Sequence, residues 1–96
     1  MIPERDPEGI ETRNLHRAIN FANLRVLEIG SGDGRLTRRF AASTRLVAAI
    51  DPDPVRLRKA TEDGASLTQV HCVQARAETL PFQAETFDLA LLAWSL

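Results

Sequence analysis

The chain has 96 residues, with 12 Lys and Arg against 13 Asp and Glu, a net charge of −1, 44% hydrophobic residues and one cysteine. That length allows one small domain with a thin core, and the composition excludes a disordered chain. The balanced charge gives no overall pull toward nucleic acid or anionic lipid, and a lone cysteine excludes an internal disulfide framework or a multi-cysteine metal site.

In chain order, residues 1–10 carry Pro3, Pro7 and Gly9 among many charges and read as a mobile lead-in. This charged start has no apolar stretch, so it is not a signal peptide, and no run approaches the ~18 apolar residues of a membrane span. A reducing, cytoplasmic setting is the expectation. From Glu11 to Ala22, Leu15, Ala18, Ile19 and Ala22 recur at helical spacing and predict an amphipathic helix. Leu24 to Ile29 reads as a buried strand that runs into Gly30-Ser31-Gly32-Asp33-Gly34. Leu36, Phe40 and Ala41 then predict a helix. Leu46 to Ile50 reads as a second strand, closed by Asp51-Pro52-Asp53-Pro54. Asp53 suits an N-cap, Pro54 suits the first helical position, and Gly64 suits the stop after Asp63. A third strand over 67–74, a turn or short helix over 78–81 and a last apolar strand over 87–93 complete the pattern.

Strands without polar alternation imply burial on both faces, as in a parallel sheet covered by helices. Right-handed crossovers then give an α/β, Rossmann-like doubly wound sheet of order 3-2-1-4. Residues 1–22 form the lead and helix, and 23–96 form the first half of a ligand-binding domain. Its crevice belongs at the carboxyl ends of the strands, beside the first one.

Three residue groups carry chemistry there. Gly30, Gly32 and Gly34 allow close backbone approach to a ligand, but position 35 is Arg where a dinucleotide fingerprint has its third glycine. No Gly-Lys-Ser/Thr ending is present to cradle phosphate. Glu28 interrupts an apolar strand; a carboxylate there must face the cleft or a cationic partner, because burying it unpaired is costly. Asp51 ends the second strand about 20 residues beyond the first glycine, placed to accept hydrogen bonds from ribose hydroxyls.

Four segments, VLEIGSGDGRLT (26–37), AAIDPDPVRLRKA (48–60), AETLPF (77–82) and FDLALLAWSL (87–96), resemble in order the signature segments of class I S-adenosylmethionine-dependent methyltransferases. They are most similar to the small-molecule branch. The resemblance implies S-adenosylmethionine as cofactor and a small-molecule acceptor. It implies that Glu28, Gly30, Ser31 and Gly32 line the methionine portion, that Asp51 holds the ribose hydroxyls and that Pro52 presses on the adenine. It further implies that the Ala77 N–H faces a ring nitrogen and that Ala93 lies near the sulfonium. Arg76, a donor only, stands where the related pattern usually has an Asp that accepts from the adenine amino group.

Two other readings remain open on the residues: a nicotinamide-dependent oxidoreductase, supported by Asp51 and opposed by Arg35, and a non-catalytic half-domain. The apolar fourth strand is a poor edge, so the chain reads as a piece of a longer protein, a decayed reading frame, or a half that pairs fourth strands with a second copy. Cys72 and His71 read as structural, and His16, Arg35, Arg38 and Arg39 as solvated.

Overall fold

Four short apolar runs pair side by side in a computed structural model that describes residues 10–80 and 86–92. The strands are β1 (Arg25–Ile29), β2 (Leu46–Asp51), β3 (Val70–Gln74) and β4 (Leu89–Leu92). All neighbours are parallel and the order is β3-β2-β1-β4, as the sequence predicts. The expected lead-in lies almost wholly outside the described residues, as do Pro81, Phe82, Ala93 and Trp94.

Residue alternation gives the sheet two faces. On one face Val26, Val47 and Ala49 pack with Phe21, Phe40 and Ala41. Phe21 and Phe40 stack with ring centroids 4.8 Å apart. On the other face Leu27, Ala48 and Ile50 are buried, with Ile29, Val73, Ala75 and Phe87 against them. Leu92 stays 64% exposed.

β4 is locked in register at the end of the sheet where β1 begins. The Asp88 carboxylate accepts the Arg25 backbone N–H at 2.8 Å and the guanidinium at 3.2 Å, while the Asp88 N–H donates to the Arg25 carbonyl.

The helices are α1 (Ile10–Ala18), α2 (Thr37–Phe40) and α3 (Pro54–Asp63), with 3₁₀ turns at Ala41–Ser43 and Ala77–Thr79. α3 follows its local signals: the Asp53 side chain accepts from the Val55 and Arg56 amides, Pro54 opens the helix and Gly64 ends it. Four elements are shorter than predicted, β4 among them, which begins at Leu89 after Asp88 is tied to Arg25. α1 stops at Ala18, because the Asn20 side chain takes the Ala22 N–H and bends the chain into a bridge between Ala22 and Thr44. α2 has one turn, because the Ser43 and Thr44 hydroxyls take the Phe40 and Ala41 carbonyls that a longer helix would use. β3 begins at Val70, because a turn from Gly64 to Val70 occupies the preceding amides. No described helix is long and apolar enough to cross a membrane.

Candidate functional site

The ends of β1 and β2 meet at the glycine loop, residues 30–36, most of whose amides are paired within the protein. The Gly30 and Ser31 amides both donate to the Ile50 carbonyl at 2.9 Å, and the Ser31 hydroxyl reaches the same oxygen at 3.2 Å. The Gly32 amide donates to Asp51 Oδ2 at 2.9 Å, the Gly34 amide to the Ser31 carbonyl and the Arg35 amide to Asp33 Oδ1. Gly32 makes its bond at φ +59°, a conformation that a side chain rarely tolerates. The loop therefore spends these donors on the protein. A phosphate cradle needs converging free amides, so the loop suits a ligand that approaches closely and brings no phosphate.

Asp51 is the charged member of this junction. It is 6% exposed, its Oδ2 accepts from Gly32 and its Oδ1 accepts the Asp53 amide at 2.9 Å. Both bonds fix the carboxylate in orientation. An ionised carboxylate has about four lone-pair sites, so two further hydroxyl groups can still be accepted. Asp53, in turn, caps α3, which frees Asp51 from that task.

Beside the junction lies a cleft of about 410 Å³, lined by Ile29, Gly30, Ile50, Pro52, Ala75, Arg76, Ala77 and Glu78. An adjoining cleft shares Pro52, Ala75 and Arg76 and adds Gln74 and Thr79. The structure thus brings the predicted residues Gly30, Pro52 and Ala77 to one cleft, while Ser31, Gly32 and Asp51 are buried in the adjoining loop junction and do not line it. Its apolar walls fit a flat heteroaromatic ring. Arg76 is a wall residue of both clefts.

Glu28 has a different environment. It is 0% exposed, on the helix-covered face of β1, and its Oε1 accepts the Thr37 hydroxyl. Among the described residues its Oε2 has no partner. Burial pushes the carboxyl up to about 7, against the Thr37 hydrogen bond and the Arg35 charge, which pull it down. The sequence points to a cleft-facing or cation-paired acid; the hydrogen-bond partner is a threonine hydroxyl. Thr37 escapes a reading based on charge. Its signal is that a buried acid needs a donor, and the first helical residue after the loop can supply one.

The other candidates hold ordinary positions. Cys72 is half-buried against the first core face and His71 is exposed. His16 Nε2 lies 2.9 Å from the Arg39 carbonyl, tying α1 to α2.

A family described as "Methyltransferase domain" matches residues 26–96. A ubiquinone/menaquinone biosynthesis C-methyltransferase of Vibrio vulnificus is 33% identical over 78 residues, covering 75% of this chain and 30% of that protein. The chain thus spans less than a third of the length of that curated relative. Phosphoethanolamine N-methyltransferase 1 of Haemonchus contortus, solved with phosphoethanolamine and S-adenosylhomocysteine, superposes with a TM-score of 0.79 at 24% identity, over 88% of this chain and 18% of that one. A SAM-dependent methyltransferase from Aquifex aeolicus gives 0.76 at 20% identity, over 91% and 51%. At these identities the superpositions establish a shared fold.

Proposed function

Because the chain belongs to the methyltransferase-domain family, with the Rossmann-like sheet of its class I S-adenosylmethionine-dependent members, we propose that it forms the cofactor-binding half of an enzyme that methylates a small-molecule acceptor. The observation that carries this reading is the Asp51 carboxylate, oriented by the Gly32 and Asp53 amides with acceptor capacity to spare.

S-adenosylmethionine, when bound, supplies an electrophilic methyl group on a sulfonium. The chain's own residues bind and orient it. Asp51 accepts the two ribose hydroxyls. Pro52 and Ala77 take the adenine in the cleft, with the Ala77 N–H toward a ring nitrogen. The loop backbone at Gly30, Ser31 and Gly32 passes close to the methionine portion, and Glu28 adds negative charge behind it when ionised. Ala93, assigned a place near the sulfonium, lies outside the described residues. The pairing of the loop amides within the protein favours this cofactor over a nicotinamide dinucleotide, whose pyrophosphate needs free ones. In-line placement of donor and acceptor supplies a large share of the rate, on the order of several kcal/mol.

Calorimetric titration with S-adenosylhomocysteine tests the reading: saturable binding is expected, with none to NADH. The reverse pattern would replace the methyltransferase reading with the oxidoreductase one. A cytoplasmic setting is consistent with the free Cys72. Pairing through the fourth strand is a second arrangement, favoured by one observation: among the described residues β4 bonds to β1 alone. A monomer by light scattering at micromolar concentration would remove it.

A further inference from the structure

We propose that Thr37 is a positioning residue: its hydroxyl, donated to the buried carboxyl of Glu28, clamps the first residue of α2 to β1 and thereby holds the glycine loop in its binding shape. The proposal rests on the cofactor reading above for its functional meaning, but the clamp itself can be measured without ligand.

The loop has two independent attachments. On the β2 side the Ile50 carbonyl and the Asp51 carboxylate collect the Gly30, Ser31 and Gly32 amides. On the other side Glu28 stands two residues before the loop and Thr37 immediately after it, so their bond closes the loop at its neck. Both side chains are buried, Glu28 at 0% and Thr37 at 3% exposure. Glu28's register neighbours on β2 and β4, Ala49 and Leu91, offer it no polar group, and Cys72 lies one strand further away. From the loop and α2, Thr37 and the positive charge of Arg35 act on it. Thr37 is thus the donor that keeps this carboxyl fixed. Oε2 has no partner among the described residues. The Thr37 hydroxyl bonds the carboxylate more strongly than the neutral acid, which is why it pulls the Glu28 titration down against the burial that raises it to about 7.

Two substitutions separate the hydroxyl from the shape. Thr37→Val keeps the branched volume and removes the donor; Thr37→Ser keeps the donor and removes the methyl group. The readouts on the purified protein are amide hydrogen exchange at residues 30–32, the carboxyl titration of Glu28 by NMR, and S-adenosylhomocysteine affinity. The clamp predicts that Thr37→Val speeds loop exchange about tenfold, the cost of one hydrogen bond at a buried group. It also predicts a higher Glu28 midpoint, since the bond to the ionised form is gone, and weaker ligand binding by a similar factor. Thr37→Ser should stay within about twofold of wild type on each readout. A role in packing alone predicts the opposite order, with Val benign and Ser damaging and no movement of the Glu28 midpoint; that result overturns the proposal. If the wild-type protein fails to bind S-adenosylhomocysteine, the cofactor reading falls, while the exchange and titration results still decide the clamp.

Discussion

Removing the Asp51 carboxylate with Asp51→Ala deprives two amides of their acceptor at once. The Gly32 N–H is buried against Oδ2 and the Asp53 N–H is half-buried against Oδ1, both at 2.9 Å. A hydrogen bond to a charged group contributes about 1.5–3 kcal/mol, less where solvent can replace it. The buried bond then accounts for about 2 kcal/mol and the half-buried one for about 1 kcal/mol, a loss of about 3 kcal/mol in folding stability. For a domain of this size each kcal/mol moves Tm by about 4–8 °C, so a fall on the order of 15 °C is expected. The ligand loses an acceptor for two hydroxyls, an effect of roughly 3 kcal/mol or a hundredfold in Kd. Asp51→Asn should fall between, since it keeps one acceptor and turns an N–H₂ group toward a donor. Thermal melts followed by circular dichroism and calorimetric titration with S-adenosylhomocysteine measure the two quantities. A variant that melts within about 3 °C of wild type and binds within about threefold refutes the reasoning, because neither amide would then depend on the carboxylate.

The remaining predictions concern its surroundings. Burial holds the Glu28 carboxyl at about 7, above its ordinary 4.5, so its stabilising contribution is complete below pH 4.5 and is lost as pH rises through 7. This removes about 3 kcal/mol; urea unfolding at pH 5 and pH 8 should show that slope in wild type and not in Glu28→Gln, and identical slopes would remove the burial argument. Asp53→Ala deletes the cap on the Val55 and Arg56 amides. It should cost about 1 kcal/mol in the same unfolding assay and leave S-adenosylhomocysteine affinity unchanged. Gly34→Ala places a Cβ at φ +86°, 3.1 Å from Arg38 Nη1 and 3.3 Å from Ala60 Cβ. It should lower stability by about 1–3 kcal/mol, read as a lower Tm; an unchanged Tm would show that the loop relaxes freely.

Much of the architecture is local and so could be read from the chain. Asp53-Pro54 and Gly64 bracket α3 with signals that need no tertiary context. The apolar runs at 24–29 and 46–50 sit in the sheet where expected because both of their faces are covered. The errors lie at element boundaries, most of them set by side-chain competition and one, the start of β3, by a backbone turn. The Asn20, Ser43 and Thr44 side chains each claim a backbone group that periodicity assigns to a helix, and helical spacing of apolar residues contains no trace of that competition. The site divides in the same way. The place of Asp51 at a strand end, with Asp53 taking the cap, is legible from local signals. The surroundings of Glu28 are not, because they depend on which residue the short α2 sets over β1. A one-turn helix brings Thr37 there, where a longer helix with a different entry would present another side chain.

Asp51 and the glycine loop together should receive the nucleoside of S-adenosylmethionine. A crystal structure of the protein with S-adenosylhomocysteine tests this most directly. Both ribose hydroxyls should lie within about 3 Å of the Asp51 carboxylate oxygens, with the adenine between Pro52 and Ala77. A nucleoside bound elsewhere, or a sugar more than about 5 Å from that carboxylate, would contradict it.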